Sequence, residues 1–314
     1  MDIELKEKEF VEIYNFIKNT YNFGLKKYIE SGGKICELSI NFFDSENRPD
    51  YNKLHVQQSY LLKYCLAYSF EYYNMYKSIL HLIRDKSELN ILSVGCGSCL
   101  DYWALCYLLY IKNLDTKINY VGVDPIKWYA NDIGNSFDKE LDNIDKFSKR
   151  NKDNCYFIQS TVCNFYQKIG NDITDLIKNL DIVIFPRSIE EIYNDQSSNE
   201  IVKTIITNID NDIFVLMAST YNNKQYNMLE QFSYIGANCT KYPKRMLTFN
   251  KIGISSINSY FQYPDDVKKD YISLCSHKND SKCDIHSDKF CYINESPILY
   301  ADKVKYSYFI IEKK

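Results

Sequence analysis

From Ser87 onward the chain repeats one pattern: a short apolar run, then a stretch with helical spacing. The runs are LNILSVG, INYVGVD, CYFIQST, LDIVIFP and DIFVLMAST. Each has strand length, and most are rich in β-branched residues. A helix between two strands carries the chain back to the edge where it started, so successive strands run parallel. The alternation therefore predicts an α/β domain on a mainly parallel sheet over residues 87–314. The closing KVKYSYFIIEK reads as its last strand.

Two helices in that domain carry sequence marks. After the first run, Leu100, Trp103, Ala104, Leu108 and Ile111 fall on one face, as a helix laid on a sheet requires. Ser197 and Glu200 have the spacing of a capping box before IVKTIITNI. Residues 221–297 are less regular. Residues 1–86 read as a separate helical region. Phe10, Ile13, Tyr14 and Ile17 recur at helical spacing before Gly32 and Gly33, and DSENRPDYNK has the character of a turn. A long segment from His55 to Ile83 lacks Gly and Pro, which favours helix with its aromatics packed. No internal repeat or low-complexity segment interrupts this layout.

Composition narrows the partners. A hydrophobic fraction of 45% suits a folded chain. The abundance of Tyr, Asn, Ile and Lys matches the bias of an AT-rich gene and carries little functional weight. The net charge of −3 and a pI near 5.9 count against constitutive binding to a nucleic-acid backbone. The loose basic run Lys241, Lys244, Arg245 and Lys251 reads as a solvated loop. The acidic, amphipathic start resembles neither a signal nor a transit peptide, and no apolar run reaches membrane-spanning length. A soluble cytoplasmic protein without a membrane partner is expected, its eleven cysteines reduced or bound to metal.

The stretch NILSVGCGSC, Asn90–Cys99, is the most informative. Only ten glycines serve 314 residues, yet Gly95 and Gly97 lie two apart behind an apolar run. A strand turning sharply into a helix leaves N–H groups unpaired, and glycines let a polar ligand approach them. The next run ends in Asp124, an acid at a strand tip and suited to the two hydroxyls of a ribose. Glycine loop and strand-tip acid together predict an adenosine-type ligand at the carboxyl edge. Nicotinamide dinucleotides and S-adenosylmethionine both fit that geometry.

ILSVGCGSC resembles the first motif of class I S-adenosylmethionine-dependent methyltransferases. The resemblance implies a Rossmann-like sheet with an antiparallel last strand, and Gly95, Cys96, Gly97 and Ser98 lining the methionine end of the cofactor. Asp124 would take the ribose, with Pro125 and Ile126 near the adenine and Ser160 or Thr161 at its amino group. LDIVIFPRSIEEI resembles the fourth motif, bringing Pro186 to the catalytic pocket. The chain departs from the family at Ser93, where an acid is usual but a hydroxyl can still hydrogen-bond the cofactor, and at Cys99, small but standing where a third glycine is usual. That missing glycine weighs more heavily against a nicotinamide-dependent oxidoreductase.

The acceptor is left open among small molecule, protein and RNA. The base-methylating signature is absent, since Phe185-Pro186-Arg187-Ser188 stands in its place, and no Pro-Cys pair exists. Arg187, Glu190 and Glu191 are the polar groups nearest the expected pocket. In-line methyl transfer needs chiefly positioning, so no catalytic residue is assigned.

Cys275, Cys283 and Cys291, with His277 or His286 as a fourth ligand, form a separate candidate site. Residues 275–291 hold three cysteines and two of the four histidines; soft thiolates with an imidazole suit zinc or an iron–sulfur cluster. The order of long helix, glycine loop, cysteine tail and closing strand is similar to the methyltransferase-like proteins of the small ribosomal subunit. That family implies an iron–sulfur cluster and a ribosomal partner, and hence a non-catalytic assembly factor as the alternative to an enzyme.

Overall fold

The computed structural model describes residues 49–128, 153–168, 178–208, 213–219, 260–261, 304–305 and 307–313. Contacts divide the chain into two units, Met1–Tyr68 with Ser259–Lys305 and Ser69–Asn258 with Tyr306–Lys314. Helix α1 (Leu54–Ile83) contributes residues to both.

In the first unit, Tyr60 meets the rings of Tyr51 and Tyr68 edge-on at 5.9 and 6.1 Å. Strands β6 (Tyr260–Phe261) and β7 (Val304–Lys305) form an antiparallel pair with Tyr260 opposite Lys305.

The second unit is built on the sheet that the alternation predicts. Its strands are β1 (Glu88–Val94), β2 (Lys117–Asp124), β3 (Asn154–Gln159), β4 (Ile182–Pro186), β5 (Ile213–Ser219) and β8 (Ser307–Lys313). Their order is β3-β2-β1-β4-β5-β8. The first five are parallel, and β8 lies antiparallel to β5 with Val215 opposite Ile311. Between β1 and β2 runs α2 (Leu100–Ile111). After β3 comes α3 (Val162–Lys168), and after β4 come α4 (Ile189–Asn194) and α5 (Gln196–Asn208).

Alternation within the strands sorts two cores. Leu92, Val94, Val121, Val123, Val183 and Phe185 pack with Val162, Phe165, Ile189, Val202 and Ile205 of the helices on one face. The opposite face carries Ser93, Ile118 and Tyr120, and the Tyr120 ring lies 5.2 Å from that of Tyr102 on α2. Helix α2 does not show the single buried stripe expected of it. It is buried nearly all round, including Leu105, Tyr107 and Leu109, while Trp103 and Ile111 are only half-buried. The reason is a second partner: the Tyr73 ring of α1 meets that of Tyr107 at 5.9 Å. On α1, Tyr72, Tyr73, Met75, Tyr76, Ile79 and Ile83 are at most 3% exposed. At roughly 1.5–3 kcal/mol for each such side chain, burial outweighs the modest helix propensity of tyrosine.

Helix α5 also starts differently from its sequence mark. Asp195, not Ser197, is the capping residue: its carboxylate accepts from the Ser198 N–H at 3.1 Å and from the Ser198 hydroxyl. An acid already at the end of α4 takes the role, and the helix begins before the expected box.

The amino-terminal edge of the sheet is fastened by side chains. Asn154 donates to Asn119 at 2.9 Å, Asn119 to Asn90 at 2.8 Å, and Asn90 to the Asn179 carbonyl at 3.0 Å. Asp181 accepts from the Asn90 N–H at 2.8 Å, and Asp153 from the Ile118 N–H at 2.9 Å. Each bond fixes the register of one strand against its neighbour.

Candidate functional site

The carboxyl edge is where β1 turns into α2, and the turn is tight. Gly95 and Gly97 have φ of 69° and 51°, the left-handed region that glycine enters without penalty. The N–H groups of Gly95 and Cys96 both donate to the Val123 carbonyl, at 2.7 and 3.2 Å, curling the loop over the end of β2. Cys99 also adopts a left-handed conformation with φ 55°. For a non-glycine residue that costs on the order of 1–2 kcal/mol.

Asp124 closes the loop from the neighbouring strand. Its carboxylate accepts from the Gly97 N–H at 2.9 Å and from the Ile126 N–H at 2.8 Å. Burial raises its pKa, while those two donors and the Trp128 indole draw it back. Trp128 is itself buried, and its ring carbons lie 3.8 Å from where a side chain on Gly97 would begin. Cys96 points down against Gly122 of β2, where an added Cβ would lie 2.8 Å from its sulfur. Burial and the adjoining Cys99 thiol hold the Cys96 pKa well above the ordinary value, so it is a neutral thiol.

Beneath the loop lies a buried acid. Asp101, in the first turn of α2, accepts from the Tyr120 hydroxyl at 3.1 Å. Burial pushes its pKa up to about 6, against the pull of the Ser93 and Tyr120 hydroxyls. Ser93 thus stands beside a carboxyl supplied from the helix. Tyr120 and Tyr76 are driven upward by burial and by Asp101, and remain neutral phenols.

The tip of β4 completes the edge. Arg187 follows Pro186 in a left-handed conformation, φ 64°, with its N–H on the Phe185 carbonyl at 2.9 Å. Its Nε and Nη2 both donate to Oε2 of Glu71 on α1, at 3.0 and 2.7 Å, and Glu71 is wholly buried. Ser188 heads α4, yet its hydroxyl donates to the Val94 carbonyl rather than capping its own helix. Its Cβ would lie 2.3 Å from a Cβ on Gly95.

The remaining candidates divide. Ser98 is buried in the loop, Pro125 is exposed beside Asp124, and the Ser160 N–H donates to the Asp124 carbonyl at 2.9 Å. The Thr161 hydroxyl accepts from the Asn164 N–H at 3.2 Å and so caps α3. Pro186 is buried, paired with Ala218 of β5. Glu191 is exposed on α4. Cys275, His277, Cys283 and Cys291 lie outside the described residues. Among the described residues, no group of three or more His, Cys, Asp or Glu side chains is placed to hold a metal. Among them too, no helix is long and apolar enough to cross a membrane.

Sequence reading missed Glu71, Asp101, Gly122, Trp128 and Ser188. For Gly122 a signal existed, a glycine inside a strand run, which often marks close approach of another group. Glu71 had none, being 116 residues from its partner.

No protein-family model matches the chain, and no curated protein matches it. Several solved structures are similar in part. One is the plantazolicin methyltransferase BpumL, solved with a pentazolic desmethylPZN analog and SAH. It has 11% identity and a TM-score of 0.34, with 78% of this chain and 85% of that one covered. Another is a putative class I S-adenosylmethionine-dependent methyltransferase from Listeria monocytogenes; the figures are 10%, 0.42, and 98% and 88%. A third is an antibiotic-related methyltransferase at 16% identity and a TM-score of 0.32, covering 75% and 92%.

Proposed function

We propose that the carboxyl edge of the sheet binds S-adenosylmethionine and that the protein is a methyltransferase. The observation that carries this reading is the bond from the Gly97 N–H to the Asp124 carboxylate. It joins the glycine loop to the strand-tip acid, in a parallel sheet that ends in an antiparallel strand. The residues present fit the cofactor. Gly95 and Gly97 give the loop the left-handed turns it needs, and the Asp124 carboxylate, with more acceptor sites than its two backbone donors use, lies directly against Gly97. The Ser160 N–H holds the Asp124 backbone carbonyl, and Pro125 follows Asp124 in the chain.

In this reading Gly95, Cys96, Gly97 and Ser98 hold the methionine end, Asp124 the ribose, and Pro125 with Ser160 the adenine side. S-adenosylmethionine, when bound, supplies an electrophilic methyl group. The chain's own contribution is to bind, orient and exclude water at a preformed edge. Buried Asp101 and the neutral Tyr120 hold the loop from below rather than moving protons to the acceptor.

A second reading, a non-catalytic factor that does not use the cofactor, draws on Asp124 itself. Its side of the loop is covered by Trp128, and only 8% of the residue is exposed. Calorimetric titration with S-adenosylmethionine and S-adenosylhomocysteine separates the two. The methyltransferase reading expects micromolar binding that Asp124→Ala weakens at least about tenfold, the loss of a charge-assisted bond pair. Wild-type protein that binds neither ligand overturns it in favour of the second. Tighter binding of a nicotinamide dinucleotide would support the oxidoreductase alternative instead.

A further inference from the structure

We propose that the Glu71–Arg187 ion pair is a positioning device for the glycine loop, acting through Ser188 on Val94 and Gly95. The consequence for ligand affinity rests on the cofactor reading above; the effect on loop shape does not.

Three observations carry it. First, Nε and Nη2 of Arg187 converge on one oxygen of Glu71, at 3.0 and 2.7 Å, and Glu71 is wholly buried. Two donors on a single acceptor fix the direction of the guanidinium as well as its distance. Second, Arg187 occupies left-handed backbone, a conformation glycine or asparagine would enter more readily. A long side chain there means that what it reaches matters more than the ease of the turn. Third, the next residue is in direct contact with the loop. The Ser188 hydroxyl holds the Val94 carbonyl, and its Cβ leaves no room for a side chain at Gly95. A shift of the β4 tip is therefore passed to Gly95 with no slack to absorb it.

A buried ion pair is a poor means of gaining stability, because an apolar pair of similar volume usually does as well or better. Retaining charges here gives a directed link between α1 and the loop. Helix α1 thereby sets the geometry of the loop.

The test separates position from stability in the full chain. Glu71→Gln and Arg187→Lys are compared with the double variant Glu71→Met/Arg187→Met, which removes both charges at similar bulk. All carry Trp103→Phe, so that indole emission comes from Trp128 beside Gly97. Affinity for S-adenosylhomocysteine, Trp128 emission and the thermal midpoint are measured on each.

The expected result is that the Met pair keeps or raises the midpoint. It nevertheless loses about tenfold or more in affinity and shifts the Trp128 emission. Arg187→Lys, which keeps the charge but not the fork, behaves likewise. A Met pair with affinity within twofold of the parent and unchanged emission overturns the inference. Should the parent bind no S-adenosylhomocysteine, the cofactor reading falls on its own. The emission then decides: a shift supports the positioning role, and no shift overturns it.

Discussion

At the amino-terminal edge of the sheet, asparagines and carboxylates join neighbouring strands while the backbone keeps ordinary strand geometry. Asn90, Asn119 and Asn154 form a rung across three strands, and Asp181 and Asp153 each take a strand N–H. At the carboxyl edge the same chemistry, a carboxylate on a backbone N–H, holds a loop rather than a strand. There the backbone is strained: Cys99 and Arg187 are left-handed although neither is glycine. Among the described residues a third, Asn113, lies just beyond the end of α2, and asparagine tolerates that conformation. One edge is built for register and the other holds strain in a fixed shape. Strain of this kind persists only where the surroundings over-determine it, and it clusters at functional sites.

Substitutions at each edge can break or sharpen this contrast. The largest effect is expected for Gly95→Ala. The new Cβ would lie 2.3 Å from that of Ser188, and φ is 69°. Clash and backbone strain together should cost about 3–4 kcal/mol in urea unfolding. Adding Ser188→Gly should recover the steric share and leave the strain. A Gly95→Ala protein as stable as the parent would contradict the close approach.

Next in size is the pH response of Asp101, beneath the strained edge. Its folded pKa of about 6 lies above the ordinary 3.8, so the folded state holds the proton more tightly. Its stabilising contribution is whole below about pH 4 and is lost as pH rises through about 6, a change of roughly 3 kcal/mol. Urea titrations across that window should give a flatter profile for Asp101→Asn. Equal slopes in the two proteins would exclude the buried acid as their source. Asp124 and Asp153 are raised in the same direction and remain in both.

The smallest is Asn119→Ala at the unstrained edge. Losing its bonds to Asn90 and Asn154 should cost about 1–2 kcal/mol, with affinity for S-adenosylhomocysteine within twofold. A loss of affinity as large as that of Asp124→Ala would erase the distinction between the edges.

What was legible in the sequence was local. Strand runs, the glycine pair and the strand-tip Asp124 announce themselves within a few residues, because strand period and turn chemistry act over that range. What was hidden depends on pairs brought together by the fold. Ser188 against Gly95 and Glu71 against Arg187 leave no mark at either position alone. The burial of α2 on two sides depends on α1, whose aromatics predict packing but not their target. Asp195 over Ser197 was a choice between adjacent caps, made by where α4 ends. The asparagines looked like a compositional bias, yet three of them form the rung at the amino edge.

The antiparallel β8 has a consequence for how the chain reaches this state. Val215 pairs with Ile311, so completing the sheet closes a loop of roughly a hundred residues, a step whose entropic cost grows only slowly with length but whose rate suffers from the long search. Until that step, β5 presents an unpaired edge, the kind of surface on which partly folded chains associate. Refolding yield should therefore fall with protein concentration more steeply than native stability would suggest.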